Sequence, residues 1–189
     1  MEKNSQYSQK NKLESQIREA YGKVTYSFTS HNKMVDRLIT YNNRIKIMQI
    51  VLSAITTGSF LITILNNEKI AGVIGAIASV ILLILNAYVK DFDLSKISQE
   101  HQSAANDLWI IREEYVSLLT DFETLNIAEI TKKRDNLQQK TMQVYSQSPK
   151  TDKRSYKEAQ KALKVQEEQT FTDKEIDVML PNDIRRTKL

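Results

Sequence analysis

Two uncharged stretches, Ile47 to Asn67 and Ile70 to Val89, lie back to back in the middle of a 189-residue chain, with only Glu68 and Lys69 between them. Each is about twenty residues, so each helix would rise about 30 Å, the thickness of a bilayer core. A chain with this feature is predicted to be all-α, built on a two-span membrane hairpin. The competing reading is a buried hairpin in a soluble protein, and two spans of full bilayer length argue against it. The mean hydropathy of −0.44 hides the spans because the flanking arms are so polar. With this much chain in lipid, no large soluble core is available.

The first apolar run begins after 46 polar and charged residues, which is not the layout of a secretory signal. Lys33, Arg37, Arg44 and Lys46 precede the first span, Lys90 and Lys96 follow the second, and the turn holds only Lys69. The positive-inside rule places both termini in the cytoplasm. The expected organisation is a cytoplasmic arm over 1–46, spans over 47–67 and 70–89, a second arm over 90–148 and a polar C-terminal segment over 149–189.

The arms carry matched patterns. Leu13, Ile17, Ala20, Val24, Ser27, His31, Met34, Leu38, Tyr41 and Ile45 alternate in steps of four and three. Leu94, Ile97, His101, Ala104, Leu108, Ile111, Tyr115, Leu118, Phe122 and Leu125 do the same. Such seams are what knobs-into-holes pairing requires, so the hairpin helices are predicted to extend into a long antiparallel coiled coil. A bundle of shorter helices, broken near Gly22 or around Asp91–Asp93, is the alternative. His31 and His101, the only histidines, both fall on the seams at similar depth. They read either as a proton-sensitive switch or, more plainly, as polar residues that set register. Convergent carboxylate or Cys spacing for a metal site is missing, so no metal is expected.

Within the first span, Gln49, Ser53, Thr56 and Thr63 share a face, with Phe60 filling the missing place. This is a candidate pore-lining stripe with an apolar constriction. The plainer reading is that the hydroxyls bond back to their own helix or to a neighbour. The second span carries Ala71, Gly75 and Ser79 at steps of four, with Gly72 and Ala76 beside them and Asn86 further on. Small residues at this spacing let helices approach closely. One polar face and one separate small face imply contacts beyond the hairpin, hence a homo-oligomer. Neither span holds a charge, which argues against a proton- or ion-coupled transporter.

Beyond the arms, Ile130, Leu137 and Val144 at seven-residue steps predict a further helix ended by Ser148-Pro149. Residues 128–170 hold ten basic and six acidic side chains, a mixture that reads as a solvated helix face or a mobile segment and argues against a nucleic-acid site. Thr172 to Glu175 forms a capping box before a short helix with Ile176, Met179 and Leu180, stopped at Pro181 and expected to dock on the chain's own arms. With no cysteine, no glycine-rich phosphate loop and no nucleophile beside a base, the chain is read as a non-enzyme that needs no cofactor.

Two spans on a minimal turn, long helical arms and the Thr-Asp-Lys-Glu-Ile-Asp…Leu-Pro element over 172–181 resemble the SLATT family. These are two-transmembrane effector domains associated with SMODS nucleotidyltransferases and SLOG sensor domains. The ending Leu180-Pro181-Asn182-Asp183-Ile184-Arg185 resembles the subfamily found beside reverse transcriptases. The resemblance implies a bacterial anti-phage membrane effector that oligomerises and perforates or disrupts the inner membrane on a signal from a partner. That partner would be a nucleotidyltransferase, a SLOG protein or a reverse transcriptase. The alternative is a membrane anchor whose coiled-coil arms recruit a soluble enzyme.

Overall fold

The computed structural model describes residues 2–66 and 69–186, with side chains from residue 6 onward. Among the described residues there are six α-helices, one 3-10 turn and no strand. The expected turn residues Asn67 and Glu68 lie outside the described residues. Helix α1 (Glu2–Asn66) runs unbroken for 65 residues, about 97 Å at 1.5 Å per residue. It contains no proline, and Gly22 sits inside it without a break. The return path is divided into α2 (Lys69–Asp91) and α3 (Leu94–Thr120).

The division has a local cause. The Asp93 side chain accepts from the Lys96 amide at 2.9 Å and caps α3. A carboxylate that satisfies the first amides of a new helix competes with continuation of the old one. The expected second arm is therefore interrupted at Phe92-Asp93, whereas the first is continuous. The register absorbs the break. Thr63 meets Gly72, and His31 meets His101. From Thr63 to His31 is 32 residues along α1, but from Gly72 to His101 is only 29. Three residues of helix rise about 4.5 Å, and the offset falls across the two non-helical residues, where the Leu94 amide donates to the Phe92 carbonyl in a tight turn around Asp93.

Helices α1 and α3 bury the predicted seams. Leu13, Ile17, Val24 and His31 meet His101, Ala104, Leu108, Ile111, Tyr115, Leu118 and Phe122, all buried. Tyr41 is the exception and lies exposed. Helix α4 (Ile127–Gln147) starts at an Asn126–Glu129 capping box and adds Ile130 and Leu137 to the same core, with Val144 packed at its edge.

Helix α5 (Lys153–Lys164) lies where a solvated helix face or a mobile segment was expected, but one side of it is buried. Its buried stripe is Ser155, Ala159 and Ala162, each fully enclosed, so it sits close against α1. Arg37 of α1 binds Asp152 at 2.6 Å and Glu158 at 3.2 Å, and Tyr26 stacks on Tyr156. Helix α6 (Asp173–Met179) has the predicted capping box, but Ile176, Val178 and Met179 remain exposed. It does not dock its apolar side chains on the arms as expected. Its contacts are local, with Asp177 accepting from the Arg186 amide and Arg185 donating to the Leu180 carbonyl.

The glycines allow a direct check of the hairpin seam. A Cβ on Gly75 would lie 2.8 Å from Ser59 Cβ, while one on Gly58 meets nothing within 4 Å. Gly75→Ala is expected to push the two helices apart and lower the melting temperature in detergent. Gly58→Ala should leave it unchanged or add up to about 1 kcal/mol from helix propensity. Equal losses at both positions would remove Gly75 from the seam.

Candidate functional site

The hairpin is an apolar rod with one distinctive side. Its most apolar windows have mean hydropathies of 1.8 and 2.5, and 0% and 11% of them is buried. A core helix of a soluble protein would be enclosed; these two face outward, and both are long and apolar enough to cross a membrane. Between them, the seam is closed by Ser59, Gly75 and Ala78, all buried, with Thr63 against Gly72. Thr56 and Thr63 donate to the Leu52 and Ser59 carbonyls at 2.9 and 2.8 Å and lie half-buried on this seam side. Their hydroxyls are spent inside α1, as the plainer reading of the stripe anticipated.

The other members of the polar stripe lie toward one flank. Gln49 donates to Asn86 Oδ1 at 2.8 Å, joining the two helices. Beside this bond opens a groove of about 750 Å³ lined by Lys46, Gln49, Ser53, Thr57, Leu82 and Asn86. Seven residues make nearly two helical turns, so Phe60 continues the Ser53 side of α1 and Ser79 continues the Asn86 side of α2. Phe60 is 62% exposed, and Ala76 and Ser79 are exposed too. The outward-turned parts of the two expected faces, Ser53 and Phe60 on α1 and Ser79 on α2, therefore lie on one side of the hairpin. Ala71, Gly72 and Gly75 instead turn into or beside the seam.

The second polar feature lies about 27 Å along α1 from Gln49, counted as eighteen residues of rise. There the seam changes from apolar to polar. Thr29, Ser30, His31, Ser98 and His101 are all buried. The two imidazoles face each other with Nδ1 to Nδ1 at 3.0 Å and ring centres 5.0 Å apart. Burial, and after it the neighbouring His101, pushes His31 down to about 4. Burial also lowers His101, with Glu100 and Asp152 pulling it up and Arg37 pushing it down. Asp152 is held down at about 2 by the Ser155 amide, which it caps, and by Arg37. Among the described residues, no three His, Cys, Asp or Glu converge as metal ligands.

Sequence reasoning found the histidine pair and the stripe residues. It missed the groove's Lys46 and Thr57 and the whole α5 clamp on Arg37. The signal for α5 was present as small residues at 155, 159 and 162, but such a stripe carries little hydrophobicity and was masked by the surrounding charge.

The Gln49–Asn86 bond predicts a non-additive pair. Gln49→Leu and Asn86→Leu should each cost about 1–2 kcal/mol of hairpin stability by leaving one amide unpaired in apolar surroundings. The double variant should cost less than the sum, read by a double-mutant cycle of unfolding in detergent. Strict additivity would mean that the two amides do not pair.

Neither a curated protein nor a solved structure matches the chain. One family model does, over residues 13–175, which takes in both apolar helices, the paired arms and the start of α6. With most of its length matched, and two long apolar helices where that family has its two membrane segments, the chain belongs to the SMODS and SLOG-associating 2TM effector domain family 4.

Proposed function

We propose that this chain is a membrane effector of a bacterial anti-phage system that oligomerises through its hairpin and opens a pore in the inner membrane. The observation that carries the reading is the one-sided hairpin. Ser53, the Gln49–Asn86 pair and Thr57, whose hydroxyl donates back to the Ser53 carbonyl, line an open groove on an otherwise apolar surface. Polar side chains facing hydrocarbon are costly, and association of copies through this side would remove them from lipid or set them against water. Two helices cannot enclose a channel, so a pore requires several copies. Phe60, exposed on the same side, would form the apolar constriction. The charge distribution supports both termini in the cytoplasm, where a sensor partner would reach the arms. The ending over 180–185 supports a reverse transcriptase as that sensor. The absence of a catalytic constellation supports a non-enzymatic output.

Dye release from vesicles carrying the purified chain, and depolarisation of cells expressing it with its partner, test this. Ser53→Leu with Thr57→Leu should cut release severalfold without changing insertion, and Phe60→Ala should raise it. Sealed vesicles under all conditions would refute the pore.

A scaffold role is favoured by one observation, the uncovered Ile176, Val178 and Met179 of α6, which suit a soluble partner better than solvent. Replacing both spans with a plain Leu/Ala hairpin separates the readings. Loss of protection from phage with normal assembly supports the pore, and retained protection supports the scaffold.

A further inference from the structure

We infer that His31 and His101 form a proton-operated latch in the arms: the neutral pair holds α1 and α3 together beside α5, and protonation of both rings opens the seam at that point. The inference concerns the arms alone and stands whether or not the hairpin conducts.

The geometry sets the stoichiometry. Two Nδ1 atoms 3.0 Å apart share a single N–H, one ring donating and the other accepting. A first added proton goes to the outer Nε2 of the donor ring and leaves the shared bond in place. A second must protonate the accepting ring at Nδ1, which sets two N–H groups face to face. A neutral seam amide pair, which fixes register equally well, has no such third state.

The surroundings isolate the pair as the titrating element. Arg37 of α1 stands near His101, and its charge is held by Asp152 and Glu158 from α5. Glu100 of α3 and Asp152 favour charge on His101, and Arg37 opposes it. Asp152, held at about 2, stays ionised while the histidines titrate, so the Arg37–Asp152 contact does not release first. Both rings are enclosed, His31 at 4% and His101 at 1% exposure, so the charged forms are accommodated by opening.

Position makes the latch consequential. From Val24 and Leu108 outward the seam is apolar and deeply buried, but toward the membrane it passes through Thr29, Ser30, His31, Ser98 and His101 before reaching the Phe92-Asp93 break. The imidazole bond thus sits in the polar stretch of the seam, with Val35 and Leu38 buried between it and the membrane. Both rings are held below the ordinary histidine value when closed, so the closed state binds fewer protons than the open one. Closure is fully favoured above about pH 6.5 and is lost as the pH falls toward 4, by roughly tenfold per pH unit for each proton taken up.

The chain has no cysteine, so spin labels at Thr40→Cys and Gln99→Cys report the α1–α3 separation in the full-length protein in nanodiscs. The expected result is one short distance at pH 7.5 and a growing longer population down to pH 4.5, absent in His31→Gln/His101→Gln. A pH-independent distance, or the same widening in the glutamine variant, would overturn the latch. Should the variant fail to fold, histidine-labelled NMR of the native chain decides. Only two ring signals exist; both titrating well below 6.5 supports the latch, and either titrating at or above 6.5 overturns it.

Discussion

Everything in this protein hangs on the antiparallel packing of one unbroken helix against its own return path. Helix α1 carries the hairpin seam, the histidine layer and the apolar core on successive stretches of one face. Because α2 and α3 retrace it, each residue of the return path is assigned a partner by its distance from the turn. The small mismatch between 32 residues outward and 29 back is taken up at Phe92-Asp93.

Close approach recurs at two places for the same reason. In the hairpin, Gly75 against Ser59 brings the backbones together where no aqueous driving force acts between helices. In the arms, Ser155, Ala159 and Ala162 let α5 settle onto α1, and the ion pairs from Arg37 fix where it settles. Small side chains give up hydrophobic area but allow many short contacts, each individually weak and collectively large. Between these two sites lies the polar layer at His31 and His101, with Val35 and Leu38 buried on its membrane side.

Much of the architecture was legible in the residues. The all-α hairpin class followed from the length of two uncharged runs. The seams from Leu13 and from Leu94 followed from steps of four and three, and burial follows them, with Ala20, Ser27, Met34, Ile45, Leu94, Ile97 and Leu125 only half-buried and Tyr41 exposed. The seven-residue steps through Ile130, Leu137 and Val144 marked α4. Residues 150–170 were misread because their periodicity is carried by Ser and Ala, which contribute little to a hydrophobic pattern yet pack closely. The α6 expectation failed for a different reason. Its capping box is a local signal and correctly marks a helix start, but where an amphipathic helix docks is a tertiary matter.

By itself, the sequence determined what is periodic and what is local. The spans, the heptad seams and the caps at Asn126 and Thr172 are of this kind, since each depends on residues within a turn or two of one another. Only the tertiary structure decided which faces coincide. Ser53 and Phe60 on one helix and Ser79 and Asn86 on the other share a side because antiparallel right-handed helices, once their seam is chosen, turn matching flanks the same way. His31 and His101 face each other at 3.0 Å because α3, begun afresh after Phe92-Asp93, takes its own register against α1. Such coincidences depend on how far one helix is rotated and displaced along another, and no spacing within either helix contains that quantity.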